Sequence, residues 1–286
     1  MRVVSWNVDQ SANSNGRIDR QLETIGILDP DLLLLQEVRY SGANDWLQHW
    51  RDGLEALGLS TIEHSCDWAA ELNEATYPPH SDIDHNNGHL TATSGAWALE
   101  RVEHTIRDYA DRHDWTHYPT HFPEKLLVTE LETPNQGIEV WNVRAVPGSE
   151  YGEEKIKILE TVYKRLTTAG RRTRLLAGDF NAPKDELPDG QLLSFGHDKA
   201  PTIRDRWVAA ERNILQGLGH LGIVDAFRSQ HGYGELDVPD TSWRDKRFDH
   251  LLVSEELLVV DCWYDHSVEG SDHAPLVADI ELSNES

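Results

Sequence analysis

Leu175-Leu176-Ala177-Gly178-Asp179-Phe180-Asn181-Ala182-Pro183 is the stretch on which the reading of this chain turns. It opens as a buried strand does, with consecutive apolar residues after the charged and polar run 171–174. Gly178 breaks the run, and Pro183 forbids further sheet or helix. Asp179 and Asn181 are two residues apart, so on an extended segment both side chains face the same way. A carboxylate and an amide then stand side by side at a strand end, where α/β proteins place their chemistry. An Asx turn that merely caps the strand is the competing reading.

The rest of the chain repeats the pattern. Leu32-Leu33-Leu34-Leu35-Gln36-Glu37-Val38 is a second buried strand ending in an acid. Leu33, Leu35 and Glu37 are expected on one face, and an acid closing an apolar face needs a partner or a cation. Residues 1–7 form a first strand that exposes Asn7. Asp249 opens a strand over 248–253, paired with one over 257–263. Asp272-His273 precedes a last strand over 276–282. Carboxylate and amide oxygens without clustered Cys suit a hard cation, Mg²⁺ or Mn²⁺. An Asp–His pair supplies an orienting acid and a proton carrier.

Between these strands the spacing predicts helices over 17–28, 44–57, 153–168 and 204–218. Trp46 and Trp50 fall on an apolar face and read as core. Strands are also expected over 94–107 and 125–143, with a turn at 133–137. Residues 64–89 read as a long solvated loop whose His and Asp residues lack zinc-type spacing. His113, His117 and His121 recur every four residues, but Pro119 argues against one helical face. Alternating strands and helices without repeats or a linker predict one α/β domain over residues 1–286.

Composition bounds the function. The 286 residues carry 38% hydrophobic side chains, enough for a large core, and a formal net charge of −24. That charge excludes a sticky basic groove, and its spread along the chain suggests a surface adapted to high salt, where phosphate counterion release contributes little affinity. Any phosphate substrate must then be held by metal, stacking and local Arg contacts. Cys66 and Cys262 make no disulfide framework, so a reducing cytoplasm is expected. No apolar run is long enough to cross a bilayer. A monomer is expected.

Asn7 after the first strand, Gln36-Glu37, Gly178-Asp179-Phe180-Asn181 and Gly270-Ser271-Asp272-His273-Ala274-Pro275 resemble, in order, the endonuclease/exonuclease/phosphatase superfamily. The segments 222–228, Ser242-Trp243 and Arg247-Phe248-Asp249-His250 look more loosely like its exonuclease III and apurinic endonuclease branch. The resemblance implies a four-layer α/β sandwich, two facing mixed β-sheets flanked by helices, with the site at one end. It implies that Glu37 holds the metal with Asp272 and Asn7 near it. It also implies that Asp179, oriented by Asn181, positions or deprotonates the attacking water, and that His273, held by Asp249, stabilises charge on phosphorus. The reaction implied is in-line hydrolysis of a phosphoester.

The chain departs from the family where relatives carry His or Tyr after the strand 140–143. Here the position falls on Arg144 or Ala145. Arginine cannot give up a proton usefully but can clamp a phosphate. Leaving-group protonation then falls to metal-bound water or to Tyr151. Trp243 with Arg244, Lys246 and Arg247 is a candidate grip on a base and a backbone, against core packing and solvated charge. The expected activity is metal-dependent cleavage of nucleic acid, most readily DNA. The alternatives are hydrolysis of a small or lipid phosphoester, and a binding module whose chemistry is lost.

Overall fold

The computed structural model describes residues 1–9, 14–40, 45–74, 85–95, 97–102, 120–168, 170 and 172–282. The strand pattern of the sequence resolves into two six-stranded mixed sheets. The first contains β1 (Arg2–Asn7), β2 (Leu32–Arg39), β3 (Thr61–His64), β4 (Asn87–Thr93), β13 (Leu257–Tyr264) and β14 (Leu276–Leu282), in the order β13-β14-β1-β2-β4-β3. The second contains β5 (Ala98–Arg101), β6 (Leu126–Glu132), β7 (Gly137–Arg144), β8 (Arg174–Asp179), β11 (Ile223–Asp225) and β12 (Asp249–Ser254), in the order β11-β12-β8-β7-β6-β5. A small hairpin, β9 (Asp185–Glu186) with β10 (Leu192–Leu193), stands apart. Each sheet has one parallel pair at its centre, β1 with β2 and β7 with β8, reached through helical crossovers.

Side-chain alternation explains the layers. Leu32 and Leu34 join Val140, Leu175, Ala177 and Leu251 in a core between the sheets. Leu33 and Leu35 point the other way, onto α1 (Asn15–Leu28) and α2 (Trp46–Ala56), where Trp46, Trp50 and Leu54 complete a second core. On the far face of the second sheet, Trp141, Leu176 and Leu252 pack against α5 (Glu154–Thr168) and α6 (Pro201–Leu215). A strand buried on both faces needs apolar residues at every position, which is why 32–35 and 175–177 read as continuous runs. The expected four-layer sandwich is what forms. The chain adds α3 (Cys66–Glu74), α4 (Gly148–Tyr151) and α7 (Ala226–His231).

Two expectations fail. Residues 64–89 are not a solvated loop: α3 occupies part of them, and β4 begins at Asn87. His85, Asn87 and His89 are buried. The polar face of β4 turns inward, toward Asn142, whose Nδ2 donates to the Leu90 carbonyl at 3.0 Å. A polar strand hides from hydropathy when its partners are other buried polar groups. His113 and His117 lie outside the described residues.

The second failure concerns Glu37, which does not share the face of Leu33 and Leu35. The β2–β4 register shifts between Leu35 and Val38, and Glu37 takes a left-handed φ of 59°. This bulge turns its side chain off the helical face toward the end of the sandwich.

Candidate functional site

The candidate site is built where inward-facing positions of both sheets run out together. Asn7 follows Val3 and Ser5 on the inner face of β1, and Asp179 follows Leu175 and Ala177 on β8. Asp249 precedes Leu251 on β12 and pairs in register with Asp179. Close approach of β8 to β7 fixes the geometry. Gly178 has φ 137°, and a Cβ there would stand 1.9 Å from the Val143 carbonyl oxygen.

Asn7 Nδ2 donates to Glu37 Oε1 at 2.9 Å and to Asp179 Oδ2 at 3.1 Å, linking the two sheets. Asn181 holds Asp179 twice, its backbone N–H donating to Oδ1 at 2.8 Å and its Nδ2 to Oδ2 at 2.9 Å. The first contact is the Asx turn, with Asn181 at φ 48°, so the segment is not extended through Asn181. The turn and the carboxylate–amide pair are the same structure. Arg144 Nη2 lies 2.7 Å from Glu37 Oε1, while its Nε is buried without a hydrogen-bond partner. His273 Nδ1 lies 2.7 Å from Asp249 Oδ2. The loop carrying His273 is tied down by Trp6 Nε1, which donates to its carbonyl at 2.8 Å, and by Ser271 Oγ, which donates to the Asn7 carbonyl at 2.6 Å.

These contacts set the protonation states. Burial pushes the Asp179 carboxyl up to about 6, the Asp249 charge adding to the rise while His273 and Arg144 oppose it. Burial works against a charged His273, but the adjacent Asp249 carboxylate outweighs it and raises the imidazole to about 9. Burial likewise works against ionised Glu37, yet Arg144 and the Asn7 hydrogen bond hold it below its ordinary value. At neutral pH the site therefore presents a carboxylate held close to its titration point beside a charged imidazolium.

The sequence-derived residues Asn7, Glu37, Arg144, Asp179, Asn181, Asp249 and His273 all converge here. Asp272 stands at the rim, exposed, its Oδ2 accepting from Trp243 Nε1 at 2.9 Å. Tyr151 is partly exposed and packs edge-on against Phe122, where it lies in the field of Arg144 and Glu37. Trp243 stacks on Phe248 at 5.5 Å and carries Arg244 over its outer face. Arg247 does not belong to the site. It is 4% exposed and its guanidinium is bound by Asp225 at 2.7 Å and Glu186 at 3.0 Å. A strand-leading Arg between two buried acids has no reach to spare for a ligand.

Several supporting residues escaped sequence reading. Lys155 Nζ donates to the Asn181 carbonyl at 2.7 Å and pairs with Glu211 at 2.7 Å. Tyr264 donates its hydroxyl to the Asp249 carbonyl at 2.6 Å, and Ser242 Oγ accepts the N–H groups of Phe248 and Asp249. Lys155 did leave a signal: it shares the helical face of Leu159, Val162 and Leu166, and a lysine on a core face needs an acid.

The donor set is hard oxygen, in which carboxylates outnumber the cations that touch them. Among the described residues no three His, Cys, Asp or Glu side chains converge as a ready-made protein cage. A small hard cation that keeps its waters and takes only one or two carboxylates does not require one, so these residues fit such an ion.

The sequence profile of the Endonuclease/Exonuclease/phosphatase family matches residues 4–273. The chain belongs to this family. Its members are phosphoester hydrolases, in general dependent on a divalent metal. No curated protein sequence matches the chain. Among solved structures it is similar to D. rerio TDP2 complexed with a single-strand DNA product (13% identity, 98% of each chain covered, TM-score 0.61). It is also similar to the human Nocturnin catalytic domain with bound sulfate (18% identity, covering 99% of this chain and 93% of that one, TM-score 0.58). A third likeness is an endonuclease/exonuclease/phosphatase protein of Beutenbergia cavernae (17% identity, covering 99% and 72%, TM-score 0.56). At these identities the likeness is one of fold.

Proposed function

We propose that this protein is a Mg²⁺- or Mn²⁺-dependent phosphodiesterase that hydrolyses nucleic-acid phosphodiester bonds, DNA in the first instance, by in-line attack of water. The observation that carries the reading is the pairing, at one end of the sandwich, of a doubly held carboxylate with an imidazolium. Asp179 is fixed by Asn7 and Asn181, and His273 is charged by Asp249.

Asp179 aligns the attacking water and takes its proton, a role suited to a carboxyl raised to about 6. His273 donates a hydrogen bond to the phosphoryl oxygen on which charge develops. Arg144, whose Nε makes no hydrogen bond and lies 3.7 Å from Asp179 Oδ2, offers its guanidinium to a second phosphoryl oxygen. Tyr151, whose phenol burial pushes upward, keeps its proton at neutral pH and can pass it to the departing oxygen. Glu37, Asp272 and Asn7 would hold the metal. When bound, it neutralises charge on the leaving group and the scissile phosphate.

TDP2 with single-strand DNA supports nucleic acid as the substrate class. The net charge of −24 and the sequestration of Arg247 favour a second reading, a small or lipid phosphoester. Both cysteines are buried and free, in keeping with a cytoplasmic setting. Among the described residues no helix is long and apolar enough to cross a membrane.

The test is hydrolysis of plasmid DNA, an abasic-site duplex and bis(p-nitrophenyl) phosphate, each with Mg²⁺, Mn²⁺ or chelator, at low and high salt. Metal-dependent DNA cleavage that Asp179→Asn and His273→Ala both abolish is the expected result. Turnover of the small ester alone moves the substrate to the second reading. No turnover, with no Glu37-dependent metal binding by titration, overturns the catalytic reading.

A further inference from the structure

Among Ile18, Leu22 and Ile25 on the buried face of α1 stands Gln21, itself only 2% exposed. A buried amide persists where its hydrogen bonds are made. Gln21 Nε2 donates to the Val8 carbonyl at 2.7 Å and to the Gly270 carbonyl at 2.8 Å. The two acceptors come from opposite ends of the chain, and each adjoins residues of the candidate site. Val8 follows Asn7, whose Oδ1 accepts the Asp9 N–H at 3.0 Å. Gly270 opens the loop Gly270-Ser271-Asp272-His273. This loop comes so close to the helix that a Cβ on Gly270 would stand 3.0 Å from Gln21 Cγ, and its φ of 123° favours glycine.

The planar amide holds its two N–H bonds at a fixed angle, so one side chain sets where the two carbonyls lie relative to each other. On one side this fixes Asn7, the residue that binds both Glu37 and Asp179. On the other it fixes the loop that brings His273 to Asp249. Ser271 closes the same gap from the loop, its Oγ donating to the Asn7 carbonyl and accepting the His273 N–H at 3.2 Å. A methionine at position 21 would fill the core equally well and leave both carbonyls without this donor. In-line hydrolysis needs the Asp179 carboxylate and the His273 imidazolium aligned on one phosphate, and a misplacement of about 1 Å costs on the order of a hundredfold.

We propose that Gln21 is a positioning residue: its forked amide sets the separation between the Asn7 end of β1 and the Asp272–His273 loop. The inference rests on the phosphodiesterase reading and adds to it a helix residue that aligns the two loops without touching substrate.

Four variants test it. Gln21→Met matches the side chain in length and removes both donors, while Gln21→Lys keeps a donor. Gly270→Ala forces the same contact apart from a partly exposed loop. Leu22→Ala, on the same helix and facing the core, controls for lost packing. kcat and KM for bis(p-nitrophenyl) phosphate are measured beside Mn²⁺ affinity, read by calorimetry without substrate. Gln21→Met should lower kcat about tenfold to a hundredfold with KM changed less than about twofold. It should also weaken Mn²⁺ binding about tenfold, as loss of a hydrogen bond behind metal ligands does. Gln21→Lys should recover most of both. Gln21→Met combined with Gly270→Ala should lose no more than the larger single loss, since both act through one contact. Leu22→Ala should lower the thermal midpoint and keep both kcat and Mn²⁺ affinity. Wild-type kcat and Mn²⁺ affinity in Gln21→Met overturn the proposal and leave the phosphodiesterase standing, as do losses that multiply in the double variant. If Gln21→Met does not fold, Gly270→Ala decides alone, and wild-type values there overturn the proposal. Where the wild type binds Mn²⁺ but turns over no substrate, the Mn²⁺ titration decides on Gln21. A wild type with neither turnover nor Mn²⁺ binding overturns the phosphodiesterase reading, and this inference with it.

Discussion

Two charge clusters gather acids at or beside strand ends, and they are organised in opposite ways. In one, Asp225 and Glu186 face Arg247 and Arg228 across contacts of 2.6–3.0 Å, acid balanced by base. In the other, ion pairs among the described residues set Glu37 and Asp179 against Arg144, and Asp249 against His273, with Asp272 nearby at the rim. The balanced cluster drives its acids' titration down. Burial alone would raise Asp225 and Glu186, but the Arg247 charge together with hydrogen bonds from His250 and Arg247 to Asp225, and from Arg228 and Arg247 to Glu186, lowers both. The acid-rich cluster leaves Asp179 raised to about 6. Balanced charge is what a fold needs in its interior, whereas excess acid costs stability and is retained where something else supplies the positive charge. On this contrast, one cluster serves the architecture and the other the chemistry.

The contrast breaks most sharply with single substitutions read by two assays. Asp179→Asn should lower metal-dependent hydrolysis by a factor on the order of 10²–10⁴, the range of a positioned general base. Its thermal midpoint should stay within a few degrees of the wild type, because neutralising one acid of an acid-rich cluster relieves repulsion from Asp249. A variant that instead unfolds would show Asp179 to be architectural.

Glu186→Ala should do the reverse. It leaves Arg228 and Arg247 with buried guanidinium groups short of a counter-charge, a loss of about 3–5 kcal/mol. Urea unfolding measures it, and the protein that remains folded should keep its kcat. A loss of kcat in the folded fraction would give Arg247 back to the site.

The same cluster sets the response to acid. Asp225 and Glu186 have folded pKa values depressed below the unfolded ones, so the stability they add is present above about pH 5 and is lost as pH falls through the depressed values. Denaturant midpoints between pH 7 and pH 3 should fall for the wild type and fall less steeply for Asp225→Asn, which starts lower. Parallel curves for the two proteins would remove the cluster from the acid response.

Much of this was legible in the chain because strands buried on both faces leave continuous apolar runs, and the polar residue that ends each run is conspicuous. The layers, the helices over α1, α2, α5 and α6, and the assembly of Asn7, Asp179, Asn181, Asp249 and His273 follow from that pattern. Glu37 shows its limit. The alternation of β2 assigns it to the helical face, and only the bulge, with its left-handed residue, turns it to Arg144 and Asn7. Arg247 was misread because a basic residue near Trp243 looks free until Glu186, 61 residues away in sequence, is brought to it. The polar strand β4 is hidden for the same reason, its buried polar groups showing themselves only through partners that folding supplies, whereas Lys155 is marked by its place on an apolar helix face.

Trp243 tests the boundary between the two kinds of residue, since its ring packs on Phe248 while its N–H binds Asp272. Trp243→Phe keeps an aromatic face for stacking and removes the 2.9 Å hydrogen bond. Because Asp272 is exposed, water takes over much of that bond, and the cost should be small, roughly twofold to fivefold in kcat/KM. If Asp272 helps hold the metal, the loss should appear as a higher metal concentration for half-maximal rate, with kcat recovered at saturation. If Trp243 serves only as a stacking face for substrate, the metal requirement should be unchanged and the loss should fall on KM. A metal titration of the rate, run on the variant beside the wild type, separates the two. A loss of kcat that saturating metal does not restore would mean that the indole N–H orients Asp272 for the chemical step itself.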